Sequence, residues 1–525
     1  MTTLVPREPY SQEELERLYP KGLQLQLVQV FLRHGERTPV SSRFQNAFPR
    51  LPGWSKWQPA GRISGHGTTF NGEGGWKPLA REMSRWSHWV QEGIWRVSGK
   101  LAQQYLMKIK DLLWTNWLES HHGELTDRGR ETTFALGQRL RHLYVDQLGF
   151  MPKVKSDTDD IYLRTTAVPR ALESLQQVFW GMYPADSRTV NLPPPVIVGR
   201  SVSDETLFPN EGSCPRFRQL ARLFAQRAAD RWNETEEMEY LNSIWSKWMP
   251  AYSPRIAVDS KPRLSGIMDT VNATDAHGPG TKLPVEFYDK KGRAIMDKIA
   301  VDEWFAGYQE TNEYRRLGIG ALLGDVVDNM VSAATTGGWF SETIAPGSLK
   351  NGKAIRFALS GCHDTTLAAI LNSVGGFKGE KWPPFTSSIA IELFSKAGEG
   401  ARAVDETPKK TGFLSFLGGS SPSSTRQNPS DVARIPLDSL PESARKGLKN
   451  HYVRVRYNDK PVRIPGCAAK PENHLPGDET FCTLEAFKGI VDKFTPKNWK
   501  EECVQNLGDG LFGKDNRFKE EAGYY

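Results

Sequence analysis

The sequence has little cysteine and no long apolar run. Five cysteines occur in 525 residues, a small and odd number that is typical of a reducing compartment. No uninterrupted apolar stretch approaches the ~20 residues that a transmembrane helix needs, so we expect no membrane span. These two scarcities exclude a small disulfide-rich secreted domain and an integral membrane protein.

The N-terminus lacks the apolar centre of a signal peptide. The first twenty residues are rich in glutamate, which argues against a secretory signal and against a typical transit peptide. Ser11 and Glu14 are instead spaced as a capping box that begins a short helix. We therefore expect an intracellular protein, cytoplasmic or mitochondrial.

Charge of one sign is also scarce. The formal net charge of +7 is small for 525 residues and does not indicate a nucleic-acid partner. One basic stretch stands out near the C-terminus, and it consists of Arg445, Lys446, Lys449, Arg454, Arg456, Lys460 and Arg463. We interpret it as a solvated strand face and loop, the alternative being peripheral contact with an anionic membrane surface.

Strand patterns alternate with helix patterns along much of the chain. Apolar strands are predicted at 23–32, 160–166 and 354–361, and the last two are each followed by a helical pattern. The stretches "SSIAIELF" and "HYVRVRYN" alternate in polarity and are predicted to pair as neighbouring strands. This order predicts an α/β fold: an open, mostly parallel sheet flanked by helices, with an inserted, mostly helical cap.

The less regular segments are assigned to insertions. We assign 20–48, 120–200 and 335–510 to the α/β core, and 49–119 and 201–334 to the cap. Residues 396–450 contain "GGSSPSSTRQNPS" and are predicted to be a disordered insertion.

Half of the 16 tryptophans lie between Trp54 and Trp117. We interpret them as packing within the cap, because tryptophan is a large apolar filler. The alternative is an aromatic-lined channel for an acyl chain or another apolar leaving group.

Basic or titratable side chains follow three of the predicted strands. They are Arg33, His34 and Arg37 after the first strand, Arg164 in the second, and His363 and Asp364 after the third. In open α/β sheets ligands bind at the carboxyl ends of the strands. Arginine forks match phosphate oxygens in charge and geometry, so the sequence predicts a site for a phosphoryl group.

The same residues indicate a reaction. His34 can attack phosphorus only when its ring is neutral, and the flanking arginines should lower its pKa. Asp364 would then protonate the leaving group, and water would hydrolyse the resulting phosphohistidine. Guanidinium groups supply the positive charge, so we expect neither a metal ion nor a cofactor.

At these residues the sequence resembles the histidine acid phosphatases of the phosphoglycerate-mutase-like superfamily. "RHGERTP" matches the signature R-H-G-x-R-x-P, and "SGCHDTTLAAIL" resembles the family's His-Asp motif. "LRTTAVPRALESLQQVFWGMYP" resembles the segment that carries a third phosphate-binding arginine. The resemblance implies an acid phosphatase with His34 as nucleophile and Asp364 as proton donor. It implies phosphate binding by Arg33, Arg37, Arg164 and His363.

Within the family the sequence is most similar to the lysophosphatidic acid phosphatases, through "KWPPFTSSIAIELF" and "YVRVRYNDKPVRIPGC". This similarity implies a small-molecule or lysophospholipid phosphate monoester as substrate. The alternatives are a phytase or inositol-polyphosphate phosphatase, and a phosphate-binding module without catalysis. Four cysteines correspond to positions in the relatives and could pair, but we expect free buried thiols; Cys362, the fifth, is expected to pack in the core.

Overall fold

The structure is a computed structural model. It describes residues 8–41, 43, 97–98, 123–276, 283–336, 339, 353–377, 381–396, 435–511 and 521–524. The predicted cap insertion 49–119, with its tryptophans, lies outside the described residues except for 97–98. Residues 397–434 of the predicted disordered insertion also lie outside them.

A mixed sheet of ten strands forms the centre of the described chain. The strands are β1 (Leu23–Arg33), β2 (Val97–Ser98), β3 (Ile161–Thr165), β4 (Ile197–Val198), β5 (Phe357–Cys362), β6 (Ser388–Lys396), β7 (His451–Tyr457), β8 (Lys460–Pro461), β9 (His474–Leu475) and β10 (Asp478–Thr483). Their order is β2-β4-β3-β5-β1-β6-β7-β10-β9, with β8 beside β7. Pairing is parallel from β2 to β1 and antiparallel from β1 to β9.

Helices flank this sheet, which confirms the α/β prediction. They are α1 (Gln12–Leu18), α2 (Asp127–Arg141), α3 (Pro169–Met182), α4 (Pro215–Trp232), α5 (Glu236–Trp245), α6 (Leu264–Ala276), α7 (Lys290–Glu310), α8 (Asn312–Arg315), α9 (Ala321–Thr336), α10 (Asp364–Ser373), α11 (Glu442–Lys449), α12 (Pro465–Ala468), α13 (Leu484–Asp492) and α14 (Trp499–Glu502). The capping box of Ser11 and Glu14 is present at α1. Strands β6 and β7 pair as predicted.

Alternating side chains of β1 serve two separate cores. Val30 and Leu32 pack with α2 and α3 on one face of the sheet, whereas Phe31 packs with α9, α10 and α13 on the other. This alternation is what a strand buried on both faces requires. The strand that ends at the predicted site is therefore held from both sides.

Residues 201–334 are mainly helical where they are described. Helices α5, α6 and α7 share an apolar cluster that includes Trp245, Ile267 and Ile299. The stretch Asn312–Thr335 is, within the described residues, the one helix with the length and composition of a membrane span, but 61% of its most apolar window is buried. It packs against the sheet, where the amide of Gln29 on β1 donates to the Val326 carbonyl at 3.1 Å.

Part of the basic stretch is buried, so our prediction of a solvated strand face was wrong there. Arg454 and Arg456 on β7 are 1% and 2% exposed, and both pair with Glu392 on β6, at 2.8 and 3.4 Å. The hydroxyls of Tyr19 and Tyr144 also donate to this carboxylate. A buried carboxylate remains ionised only with such partners, and these ones lie more than 60 residues away in sequence.

Four of the five cysteines form disulfides, contrary to our expectation of free thiols. Cys214 and Cys503 join the start of α4 to the end of α14, and Cys467 and Cys482 join α12 to β10. Cys362 is a free, buried thiol. The disulfides remove the argument for a reducing compartment that rested on cysteine number. Cys214 and Cys503 are 289 residues apart in sequence, so they meet only in the folded protein.

We expect the unfolded protein to present one thiol without reductant and five with it, because only Cys362 is unpaired. Titration with a chromogenic disulfide reagent in guanidinium chloride measures this number. The Cys362→Ala variant is the control and should give no signal without reductant. Close to five thiols in the non-reduced protein would contradict both disulfides.

Candidate active site

Three neighbouring parallel strands bring the predicted residues together. Strand β5 lies between β3 and β1, as the prediction required. The register aligns their ends, since Arg33 lies opposite Cys362 and Thr165 opposite Gly361. The side chains at and after these three strand ends therefore surround one crevice at the carboxyl edge of the sheet.

Gly35 lets the loop after β1 pass directly against helix α2. A Cβ atom at Gly35 would lie 2.3 Å from the carbonyl oxygen of Gly129, and one at Gly129 would lie 2.2 Å from that of Glu36. Both distances are too short for any side chain. The Gly35 N–H also donates to Ser174 Oγ on α3 at 3.0 Å. The glycine of "RHGERTP" thus fixes the loop between α2 and α3, next to His34.

His34 is buried and neutral. Its Nδ1 lies 2.9 Å from the Gly35 carbonyl oxygen, and because a carbonyl only accepts, Nδ1 carries the proton and Nε2 the lone pair. Burial lowers the pKa of His34 well below its usual value, and the charges of Arg170, Arg37 and Arg33 lower it further. The predicted direction is confirmed, although burial is the larger cause. The ring therefore stays neutral, with a free lone pair on Nε2, even in mild acid.

Arg33, Arg37 and Arg170 concentrate positive charge around His34. Each has an Nη atom with a partner: Arg33 Nη2 pairs with Asp364, Arg37 Nη2 with Asp269, and Arg170 Nη1 donates to the Gly123 carbonyl. Within the described residues, however, the buried Nε of all three has no hydrogen-bond partner. Buried donors are normally satisfied. An oxyanion such as phosphate would supply the missing acceptors.

His363 and Asp364 sit where β5 passes into α10. The Nε2 of His363 lies 3.0 Å from Thr166 Oγ1. Burial, followed by the charge of Arg170, lowers the pKa of His363, so its ring is neutral. Burial alone would raise the pKa of Asp364, but the Arg33 charge and the Trp382 N–H outweigh it and lower this pKa. Asp364 is therefore ionised in the ligand-free site.

Arg164 and Arg170 have different surroundings. Arg164 Nη2 donates to the buried Glu205 at 2.7 Å and to Thr206 at 3.1 Å. Arg170 is the second residue of α3, and its charge is second only to burial among the causes that lower the pKa of His34. Arg170 lies in the segment that resembles the family's third phosphate-binding arginine segment, but it was not among the predicted site residues. Its place one residue after the helix-opening Pro169 was the available signal.

A second feature that the sequence analysis missed is the WPPFT segment, residues 382–386. The Phe385 ring lies 4.0 Å from Arg33 Cζ, and its centroid is 5.9 Å from that of His34. The Thr386 N–H donates to the His34 carbonyl at 3.2 Å. This segment carried part of the resemblance to the lysophosphatidic acid phosphatases, and in the structure it forms one wall of the site.

The helical region 201–334 also reaches the site. Asp269 on α6 accepts from Arg37 Nη2 at 2.7 Å, from Arg43 Nη1 at 3.2 Å and from the Val40 N–H at 3.1 Å. This carboxylate offsets part of the positive charge. Within the described residues, no cluster of three or more His, Cys, Asp or Glu side chains is placed to hold a metal ion.

Comparison with known families decides the class of this site. Residues 24–414 match the model of the histidine phosphatase superfamily (branch 2). The chain belongs to this superfamily. It is 34% identical to a probable acid phosphatase of Schizosaccharomyces pombe over 92% of this chain and 95% of that protein. The chain is thus a histidine acid phosphatase, as the resemblance implied.

Two further comparisons concern relatives and the fold. The chain is 25% identical to lysophosphatidic acid phosphatase type 6 of Homo sapiens, over 71% of this chain and 74% of that protein. The phytase of Hafnia alvei in complex with tartrate has a TM-score of 0.51 and 14% identity, covering 92% of this chain and 99% of that chain. This last likeness shows the fold alone.

Replacing Arg170 with Met should weaken competitive inhibition by inorganic phosphate by about 10- to 100-fold, the loss expected when charge-assisted hydrogen bonds are removed. Arg164→Met is the matched variant. It should weaken inhibition by less than about fivefold and mainly lower the melting temperature, because Glu205 would be left buried without its partner. An equal or larger effect of Arg164→Met on phosphate inhibition would instead support the role that the resemblance gave to Arg164.

Proposed function

We propose that this acid phosphatase cleaves alkyl phosphate monoesters through a phosphohistidine on His34, and that lysophosphatidic acid is its preferred kind of substrate. One observation carries the first part: a neutral, buried imidazole lies among three guanidinium groups whose Nε atoms have no partner in the described residues. This is the arrangement that phosphoryl transfer needs, with a nucleophile in place and positive charge for the equatorial oxygens.

The proposed reaction has two steps. In the first, the lone pair of His34 Nε2 forms a bond to phosphorus while the bond to the ester oxygen breaks. The hydrogen bond from Nδ1 to the Gly35 carbonyl stabilises the positive charge that the ring acquires. In the second, water attacks the phosphohistidine, releases phosphate and restores the neutral ring.

Arg33, Arg37, Arg170 and His363 are the proposed phosphate ligands. This assignment gives Arg170 the role that the resemblance assigned to Arg164. It is supported by the charge of Arg170 acting on both His34 and His363. Arg164 pairs with Glu205, but its buried Nε also has no partner in the described residues, so it is a further candidate ligand. A role of Arg164 in phosphate binding stays a prediction.

Asp364 is the proposed proton donor, although it is ionised in the ligand-free site. A bound phosphate brings negative charge close to the carboxylate, and a like charge raises the pKa of an acid. Phosphate also competes for the Arg33 charge that holds the Asp364 pKa low. Substrate binding should therefore raise the pKa of Asp364, so that its carboxyl group is protonated when the leaving group departs.

The substrate proposal is supported by the relative whose name states that it acts on lysophosphatidic acid. The described cations beyond the phosphate ligands agree with a single phosphate. Arg43 is paired with Asp269, and Arg200 with Asp325. A phytase site would need free cations for several further phosphates. Hydrolysis of inositol hexakisphosphate at a rate equal to that of lysophosphatidic acid would favour that alternative.

Replacing His34 with Ala should abolish hydrolysis of p-nitrophenyl phosphate while the melting temperature stays close to that of the native protein. Loss of a nucleophile typically costs far more than 100-fold in rate. Acid-quenched protein incubated with labelled substrate should carry an acid-labile phosphoryl group in the native chain and none in the variant. Retention of more than about a hundredth of the rate would refute the covalent step, and an inactive native chain would support the binding-only alternative.

Lysophosphatidic acid should exceed glycerol 3-phosphate in kcat/KM by about 100-fold. Each buried CH₂ contributes ~0.8 kcal/mol, so a few methylenes in contact with the protein are sufficient. Short-chain lysophosphatidic acids below their micellar concentration give a graded series with the same phosphate and glycerol. Equal efficiency along this series would rule out an acyl-chain site and leave the phosphatase reaction itself untouched.

A further inference from the structure

The WPPFT segment contacts both members of the Arg33–Asp364 ion pair. The indole N–H of Trp382 donates to Asp364 Oδ2 at 2.8 Å, and the Pro383 carbonyl accepts from Arg33 Nη1. The Phe385 ring lies against the Arg33 guanidinium at 4.0 Å. A segment that touches the acid and its counter-ion on separate atoms can fix their relative orientation.

The two oxygens of Asp364 have unequal partners. Oδ2 accepts from Arg33 Nη2 at 2.7 Å and from Trp382 Nε1 at 2.8 Å, while Oδ1 accepts the Thr365 N–H at 2.8 Å. A carboxylate oxygen has two lone pairs. The two donors occupy both lone pairs of Oδ2, so one lone pair of Oδ1 is left for a proton.

The indole ring of Trp382 is held by helix α7. Its centroid lies 4.7 Å from that of Phe305 and 5.9 Å from that of Trp304, the latter in an edge-to-face arrangement. Aromatic pairs at these separations are favourable and directional. Helix α7 therefore sets the position of the Trp382 N–H. Among the described contacts, no residue of α7 touches the Asp364 carboxylate itself.

We propose that Trp382 is a positioning residue, which fixes the carboxyl group of Asp364 and directs its proton to Oδ1. The inference rests on the proposed function, because it takes Asp364 as the proton donor. In the step concerned, the phosphorus–oxygen bond breaks and its electron pair passes to the ester oxygen. That oxygen takes the proton from Oδ1, and Asp364 becomes ionised again.

Several charged or titratable groups face Asp364. They are Arg33 and Arg37 from β1 and its loop, Cys362 and His363 from β5 and its end, and Arg170 from α3. A substitution of Trp382 removes none of these groups. A change in the pH dependence of a Trp382 variant would therefore report the lost N–H. A hydrogen bond to the ionised form favours ionisation, so its removal must keep Asp364 protonated to higher pH.

The test compares Trp382→Phe with the native chain in phosphorylation of His34 at saturating substrate, followed by rapid quench. For glycerol 3-phosphate the rate should fall by about 10-fold, since an alkoxide cannot leave without its proton. For p-nitrophenyl phosphate it should fall by less than about threefold. The alkaline limb of the pH profile should move up by about one pH unit, the size expected for one charge-assisted hydrogen bond.

Trp499→Phe is the matched control, because the Trp499 indole N–H also donates a hydrogen bond, to the Leu317 carbonyl, and neither residue belongs to the site. It should leave both rates and the pH profile within about twofold of the native values. In an Asp364→Asn background, Trp382→Phe should have less than a twofold further effect, as expected for two groups that act as a unit. Should Trp382→Phe not fold, benzothienylalanine at this position keeps the shape of tryptophan and removes only the N–H.

Equal losses with the two substrates and an unmoved alkaline limb would overturn the proposal, since a packing role predicts that pattern. An undiminished effect of Trp382→Phe in the Asp364→Asn background would overturn it as well. Failure of the proposed function gives a different result, because the native chain would then form no phosphohistidine on His34.

Discussion

The buried ion pair between Arg33 and Asp364 joins the two strands that carry the chemistry. Its atoms are 2.7 Å apart, and the side chains are 6% and 15% exposed. Loss of one partner would leave the other charge buried, which costs about 3–5 kcal/mol. The parallel register of β1 and β5 supplies this geometry, since it places Arg33 opposite Cys362, two residues before Asp364.

The remaining charges of the site are only partly compensated by carboxylates. Asp269 on α6 offsets Arg37, but the charge of Arg170 has no matching carboxylate at the site among the described ion pairs. The ligand-free site therefore keeps an excess of positive charge beside a neutral histidine. Burial lowers the pKa of His34 and this charge lowers it further, while Arg33 and the Trp382 N–H lower the pKa of Asp364. In the proposed reaction a bound phosphate offsets this positive charge and raises the pKa of Asp364.

Buried arginines elsewhere in the fold show why charge alone does not identify a site. Arg454 and Arg456 are as deeply buried as Arg33, yet Glu392 lies between them on the next strand. Arg164 is paired with Glu205 in the same way. In both places a carboxylate already occupies the position that an anionic ligand would take. The site differs in gathering three such guanidinium groups around one neutral histidine, with Arg170 making no described ion pair.

The sequence by itself determined the alternation of strands and helices and the stretch "RHGERTP", because periodicity and glycine geometry act over a few residues. It also placed Arg33, His34 and Asp364 at strand ends, whereas the order of the sheet showed that these strands are neighbours. Tertiary structure decided which carboxylate each buried arginine pairs with, since Glu205 and Glu392 are 41 and 62 residues from their partners. It decided the cysteine pairing across 289 residues. It also brought Trp382 onto Asp364, because contacts between distant segments leave no periodic trace in the chain.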